Sequence, residues 1–161
     1  MLLGILFGSN FFFTFIVAPA LFSHFSARLA GEAMQTIFPL YFAMGWILGI
    51  VIYTLIAILS IKDKFIIKKL KWFIVVLSLM VISYMALHRT VLPIGQALNN
   101  QYYAFVDEKK TEEAEKIKEK FKVVHSISSS LNILNLIFEF YLMYSFYLFL
   151  MDKRKEEDFI E

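Results

Sequence analysis

The sequence contains no cysteine, and this absence removes several classes of protein from consideration. Disulfide scaffolds, thiolate zinc sites, iron–sulfur clusters and cysteine nucleophiles all require thiol side chains. Common catalytic and nucleotide-binding patterns are also missing, because the chain has no GxGxxG, GxxxxGK[ST], HExxH or GxSxG motif. We therefore favour a non-catalytic role over an enzymatic one.

Charged residues are absent from three long stretches of the chain and almost absent from a fourth. Residues 1–23, 38–61 and 72–87 contain no Asp, Glu, Lys or Arg, and residues 126–151 contain only Glu139. A bilayer core of about 30 Å requires about 20 apolar helical residues. The 72–87 stretch reaches this length if the cations beside it extend towards water. The pattern predicts four membrane spans, at about residues 2–23, 38–61, 70–92 and 126–150.

The four spans predict an all-α protein, a four-transmembrane-helix bundle that forms a single membrane domain over residues 1–161. The connection between spans 3 and 4 covers about residues 93–125. Its segment 107–122 contains six acidic and six basic residues, and opposite charges three or four positions apart favour a helix. Apolar residues continue this helical period into span 4. We expect spans 3 and 4 to extend beyond the membrane as a helical hairpin.

An even number of spans places both termini on the same side of the membrane. The two faces carry equal numbers of basic residues, but those of one face lie directly beside span ends. These are the lysines of residues 62–71 and the run Lys153, Arg154 and Lys155. The positive-inside rule then favours cytoplasmic termini in a cell membrane of the bacterial inner-membrane type. Because the net charge is only +2, we expect the lipid bilayer as a partner and no nucleic acid.

Span 4 carries the most informative polar pattern in the chain. Five polar residues alternate at spacings of three and four: His125, Ser128, Asn132, Asn135 and Glu139. This spacing places them on one helix face. Glu139 falls near the middle of the bilayer, where a charged carboxylate is costly, so this face should point into the bundle. Asn10 of span 1 lies at comparable depth and is the natural partner of Glu139.

All three histidines fall at span ends on one side of the membrane. His24 ends span 1, His88 ends span 3 and His125 begins span 4, while Arg89 follows His88. Imidazole ligates haem iron and other metals, so these histidines are candidate metal ligands, and the identity of any cofactor stays open. Histidine is also inexpensive at a membrane interface, where it needs no functional role.

Several short motifs, taken in order, resemble a known family. They are Gly8-Ser9-Asn10 with Val17-Ala18-Pro19-Ala20-Leu21-Phe22, then Ile37-Phe38-Pro39-Leu40-Tyr41-Phe42, then Arg89 with Pro93, and finally Phe121-x-x-x-His125-x-x-Ser128-Ser129-x-x-Asn132. In this order the chain resembles the transmembrane protein 205-like family, a group of small four-span proteins of poorly defined function. The resemblance implies a shared polar site formed by Arg89, His125, Ser128, Ser129 and Asn132. Glu139 is not part of it.

Three functional hypotheses follow from these patterns. The first is a membrane protein that binds a small ligand or ion at a polar intramembrane site, formed by the five residues of the resemblance together with Glu139 and Asn10. The second is a membrane redox protein that binds haem or a metal. The third is a non-catalytic subunit that docks on a larger membrane complex through its charged hairpin. Two glycine pairs at GxxxG spacing, Gly4/Gly8 and Gly45/Gly49, fit either packing within the bundle or a homodimer.

Overall fold

The fold is known from a computed structural model that describes residues 1–62 and 64–158. Within this part of the chain the regular structure is entirely helical, and the helices in order are α1 (Leu2–His24), α2 (Ala27–Lys62), α3 (Phe65–Lys69), α4 (Lys71–Asp107) and α5 (Thr111–Asp158). Helices α1, α2, α4 and α5 are long and apolar enough to cross a membrane. The predicted all-α fold with four membrane-length helices is confirmed. Asp63, residues 159–161 and the side chains of Lys153, Arg154 and Lys155 lie outside the described part.

Helices α4 and α5 continue past their apolar segments and form the predicted hairpin. A three-residue turn joins Asp107 to Thr111, and its middle residue, Lys109, adopts a left-handed backbone with φ of 60°. Glu112 and Glu113 lie in the first turn of α5, where acidic side chains interact favourably with the helix dipole. Ala114 and Ile117 are buried in the hairpin, which therefore has an apolar interior of its own.

The N-terminal part of α2 lies against this hairpin. Arg28 donates two hydrogen bonds to the carboxylate of Asp107, at 2.9 and 3.0 Å, and its guanidinium lies 5.0 Å from the centre of the Tyr103 ring. Nearer the membrane, the Gln96 side-chain amide donates to the carbonyl oxygen of Gln35 at 3.0 Å. The Arg28 hydrogen bonds lower the pKa of Asp107. These contacts connect the hairpin to the rest of the molecule.

One of the two glycine pairs packs inside the molecule. A methyl group added to Gly45 would lie 2.6 Å from Cε1 of Tyr84, and one added to Gly49 would collide with the Val81 side chain. Gly45 and Gly49 therefore allow α2 and α4 to approach closely, as small residues do in membrane bundles. In the described part of the chain, no atom beyond the surrounding helix backbone lies within 4 Å of the corresponding position at Gly4 or Gly8, so this second pair does not serve the same purpose.

Helices α1 and α4 share a local irregularity that the sequence analysis missed. Each contains a π-helical turn, Phe13–Val17 in α1 and Leu87–Val91 in α4, and each turn ends two residues before a proline. A proline has no N–H group and its ring clashes with the carbonyl of the preceding turn. The wider π turn accommodates this clash without breaking the helix.

Candidate functional site

A network of hydrogen-bonded side chains occupies the interior of the bundle, and all four long helices contribute to it. Its members, hereafter the polar network, are Asn10 and Thr14 of α1, Tyr41 of α2, Tyr84 of α4, and Asn132 and Glu139 of α5. The a/d spacing of Asn132 and Glu139 places both on the inner face of α5. Because the partners come from different helices, the network fixes how the helices are rotated against each other.

Glu139 is the only acidic residue of the apolar segments, and it is completely buried. The Tyr84 hydroxyl donates a hydrogen bond to its Oε1 at 2.6 Å. The Asn10 side-chain amide donates to Oε2 at 3.1 Å and also to the Tyr84 oxygen at 3.0 Å. The structure therefore brings together the pair, Asn10 and Glu139, that the sequence suggested. Both partners of the carboxyl group are electrically neutral.

The remaining members continue the network in a single direction. Tyr41 donates to Oδ1 of Asn132 at 3.0 Å, and Nδ2 of Asn132 donates to the Thr14 hydroxyl at 2.8 Å. Thr14 in turn donates to Oδ1 of Asn10 at 3.1 Å. Each side chain thus accepts a hydrogen bond from the one before and donates one to the next, in a chain that begins at Tyr41 and ends at Glu139. Chains of this kind polarise their members and strengthen the individual bonds.

Two further polar side chains of α4 and α5 are buried without a hydrogen-bond partner in the described part of the chain. Asn135 is completely buried, and neither its Nδ2 nor its Oδ1 has a hydrogen-bond partner among the described residues. The same holds for the hydroxyl of Ser83, which is 8% exposed. Ser83 precedes Tyr84 in α4, and Asn135 lies one helical turn before Glu139 in α5. Buried polar groups without partners are rare in folded proteins, since each costs about 1–3 kcal/mol.

The other site residues expected from the sequence lie away from the polar network. Arg89, His125 and Ser129 are exposed and Ser128 is half-buried. The ring of His125 stacks on that of Phe121, with centroids 5.8 Å apart. Among the described contacts, none joins these four residues to the polar network. The structure thus divides the expected site into an inner group, formed by Asn10, Asn132 and Glu139, and an outer group.

The three histidines make separate contacts. His24 lies 2.9 Å from the Ser23 hydroxyl and 2.9 Å from the carbonyl oxygen of Ala20, both on its own helix. His88 accepts a hydrogen bond from the Trp46 indole at 3.2 Å. Within residues 1–62 and 64–158, no group of three or more His, Cys, Asp or Glu side chains is arranged to hold a metal ion.

Sequence reasoning missed the tyrosines of the site. Tyr41 entered the sequence analysis only as part of the motif at residues 37–42, and no pattern singled out Tyr84. A tyrosine deep in an apolar segment nevertheless carries a signal, because its hydroxyl needs a hydrogen-bond partner once buried. Tyr84 lies in the 72–87 stretch without charges, and that position could have identified it as a partner of Glu139.

Comparison with known proteins places the chain in a family. Residues 1–104 match DUF4149, which is described as a domain of unknown function. Searches of the curated proteins and of the solved structures gave no match. The matched residues include the network members of α1, α2 and α4, whereas Asn132 and Glu139 follow in α5. Since the match covers more than half of the sequence, the chain belongs to the DUF4149 family.

Proposed function

We propose that this chain is a multi-pass protein of the cell membrane that binds a small monovalent cation, the proton included, at Glu139 in the bundle interior. The observation that carries this proposal is the burial of the Glu139 carboxyl group among neutral hydrogen-bond donors only. The ion pairs between described side chains involve residues 28, 32, 69, 107–122 and 152, outside this part of the bundle. None of the ion pairs in the described part of the chain therefore provides a counter-charge for Glu139.

A buried carboxyl group of this kind has two ways to avoid the cost of its charge. A charged side chain at the centre of a bilayer costs at least about 2.5–3.5 kcal/mol, so the group takes up a proton or pairs with a cation. An ionised carboxylate has about four lone-pair positions, and Tyr84 and Asn10 occupy two of them. In the proposed site, the remaining lone pairs contact the bound ion.

The neighbouring unpaired groups support a site for an ion. Asn135 contributes an amide oxygen and Ser83 a hydroxyl oxygen, both buried and without partners. We propose that these oxygens act together with the Glu139 carboxylate as an oxygen-only ligand set, which suits hard cations. One carboxylate balances one positive charge, so the set favours a monovalent over a divalent ion. A bound cation, or a water molecule in its shell, would satisfy the unpaired atoms.

The outer residues have a place in the same proposal. Ser128 and His125 lie one and two helical turns before Asn132 on α5, and they continue the polar helix face towards the membrane surface. We propose that His125, Ser128, Ser129 and Arg89 line the mouth of a route from that surface to Glu139. The order of motifs supports a finer assignment to the transmembrane protein 205-like family. The basic residues beside the span ends favour cytoplasmic termini.

The alternative functions receive less support from the geometry. A haem or metal centre would need ligands that converge, but His24, His88 and His125 each contact a different neighbour. Docking on a membrane complex would use the charged hairpin, whose exposed Lys and Glu side chains pair with each other. A solvated helix face explains these pairs equally well.

The test is ion-dependent stability of the full-length protein in detergent micelles. We expect the chloride salt of at least one of Li⁺, Na⁺ and K⁺ to raise the melting temperature above that in choline chloride at equal ionic strength and pH. At a hundredfold excess over the Kd, binding adds about 2.7 kcal/mol to the unfolding free energy. If the only ligand is the proton, the metal salts have no effect, and infrared difference spectra show the carboxyl band titrating with pH.

The decisive variant is Glu139→Gln, which keeps the size of the side chain and removes its charge. We expect this variant to lose both the cation response and the titrating infrared band. Glu115→Gln is the matched control, since Glu115 pairs with Lys118 on the exposed hairpin, and it should retain them. An unchanged response in Glu139→Gln would overturn the proposal, as would the absence of any ion or proton response in the wild type.

A further inference from the structure

A positively charged side chain lies on the outer surface of α4, within the apolar part of that helix. Arg89 is exposed, whereas Leu87 two residues before it is buried. Arg89 follows Tyr84 by five residues, or about 7.5 Å along a helix, and Tyr84 is bonded directly to Glu139. Glu139 falls near the middle of the apolar segment 126–151, and half of a bilayer core measures about 15 Å. We therefore expect the backbone of Arg89 to lie inside the hydrocarbon layer.

A comparison of α1 with α4 indicates that the position of Arg89 faces lipid. The two helices run in the same direction, since two membrane crossings separate their starting points. Asn10 donates a hydrogen bond to Tyr84, and in each helix a π turn begins three residues after this contact. Phe15 and Arg89 are the third residues of the two turns and hence lie at a similar level. Phe15 is 52% exposed, so Arg89 occupies the equivalent of a phenylalanine on the bundle surface.

Arg89 has no acceptor among the side chains that the structure describes. No hydrogen bond or ion pair in this part of the chain involves its guanidinium, whereas Arg28 pairs with Asp107 outside the apolar segments. A guanidinium stays charged at any accessible pH, and a charged side chain at the centre of a bilayer costs at least about 2.5–3.5 kcal/mol. An anion from the surroundings would reduce this cost.

We propose that Arg89 binds the phosphate group of a phospholipid from the leaflet on the hairpin side of the membrane. An arginine at this level extends its apolar stem towards the membrane surface, where the lipid phosphates lie. Its planar guanidinium can donate two parallel hydrogen bonds to one phosphate, an arrangement that lysine cannot form. A soluble phosphate would have to leave water to reach this level, whereas a lipid carries its phosphate on chains that are already in the membrane.

The helix surface beside Arg89 suits the acyl chains of such a lipid. Met85 and Ile82 lie four and seven residues before Arg89, on the same face of α4 and one and two turns deeper in the membrane. They are 43% and 63% exposed. An acyl chain that descends from a phosphate at Arg89 would therefore cover two apolar side chains.

The bound phosphate would also affect the entrance of the proposed route to Glu139. An unneutralised guanidinium at this entrance repels cations, and a phosphate offsets its charge. This consequence alone rests on the proposed function, because the binding of the lipid itself does not require an ion at Glu139.

The experiment measures lipid binding to the delipidated full-length protein by native mass spectrometry. The probes are three dioleoyl lipids, with phosphocholine, phosphoglycerol and uncharged galactose headgroups, compared pairwise at equal concentration. We expect both phospholipids to bind about fivefold to twentyfold more tightly than the galactolipid, as expected for hydrogen bonds between charged groups at an exposed site. Soluble glycerol 3-phosphate, which lacks acyl chains, should not displace them.

Two variants assign the preference to Arg89. Arg89→Gln should bind the three lipids equally within about twofold, and Arg89→Lys, which keeps the charge without the planar guanidinium, should show an intermediate preference. Lys116→Gln is the matched control, because it removes one positive charge from an exposed pair with Glu112 on the hairpin. Its preference should equal that of the wild type. All variants are at surface positions, and circular dichroism verifies that each stays helical.

Several outcomes would overturn the proposal. These are equal affinity of the wild type for the galactolipid and the phospholipids, an unchanged preference in Arg89→Gln, or a lost preference in Lys116→Gln. Displacement of the phospholipids by glycerol 3-phosphate would equally contradict it, since the site would then recognise a soluble phosphate. None of these results depends on whether Glu139 binds a cation.

Discussion

At the scale of single residues, the decisive feature is a carboxyl group held by a tyrosine and an asparagine. Replacing Glu139 by Gln keeps one acceptor for the Tyr84 hydroxyl, so we expect the unfolding free energy to change by no more than about 1 kcal/mol. Replacing it by Leu leaves Tyr84 and Asn10 without acceptors and should cost about 2–4 kcal/mol. Reversible unfolding in mixed micelles measures both values. Equal stability of Glu139→Leu and the wild type would show that these hydrogen bonds contribute nothing.

Asn135 allows the opposite experiment, because it is buried and no described residue forms a hydrogen bond with its side chain. In the absence of metal cations, Asn135→Leu should raise the unfolding free energy by about 1 kcal/mol, since it removes two unpaired polar groups from an apolar interior. Asn132→Leu is the matched comparison and should be destabilising, as it breaks the bonds to Tyr41 and Thr14. If both leucine variants lose stability equally, Asn135 has a partner in the membrane.

The sequence identified part of this site for a clear physical reason. An acid in an apolar stretch is conspicuous, and Asn10 was the polar residue of span 1 at its depth. Tyr84 was overlooked because tyrosines occur at membrane interfaces and in cores alike. The sequence also indicates how deep a residue lies in the membrane, but not how two helices are rotated relative to each other. For that reason it could not separate Asn132, which joins the network, from Ser129, which does not.

At the scale of helices, the close approach of α2 and α4 depends on Gly45. We expect Gly45→Ala to lower the unfolding free energy by about 1–3 kcal/mol, because its methyl group would force the Tyr84 ring to move. The shift should also weaken the cation response, since Tyr84 donates to Glu139. Gly4→Ala introduces the same methyl group at a position with open space and should be harmless. Thermal unfolding of the two variants, with and without salt, makes the comparison.

The helices also show where sequence patterns are informative about the fold. The absence of charge located four membrane-length helices, and paired charges identified the hairpin beyond the membrane. The same reasoning gave no indication that α2 begins at Ala27, ahead of its apolar segment, and continues through Pro39. It also missed the π turns, because a proline near a span end is compatible with a kink, a break or a widened turn.

At the scale of the whole molecule, the hairpin is held to α2 by Arg28 and Asp107. Because Arg28 lowers the pKa of Asp107, the ion pair contributes fully at neutral pH. Its contribution is lost as the pH falls through the lowered pKa of the folded state, below the ordinary value of 3.8. We expect Asp107→Asn at neutral pH to exchange the amide hydrogens of the hairpin tip about twofold to fivefold faster. Hydrogen exchange monitored by mass spectrometry provides the measurement.

The same variant has a second expected result, which concerns the bundle. The pair is exposed and lies outside the polar network, so the cation response of Asp107→Asn should equal that of the wild type. A loss of that response would mean that the hairpin and the interior site are coupled. Glu119→Gln, which affects an exposed pair with Lys122 on the hairpin itself, serves as the control for exchange at the tip.

The distribution of the polar network along the chain has a consequence for biosynthesis. Asn10, Tyr41 and Tyr84 are translated before Glu139, which belongs to α5. Its insertion into lipid alone is opposed by about 2.5–3.5 kcal/mol if it is charged, but the donors that receive it are already in place. Helix α5 therefore supplies the acceptors of both tyrosines, and a chain that lacks α5 leaves the hydroxyls of Tyr41 and Tyr84 without the acceptors Asn132 and Glu139.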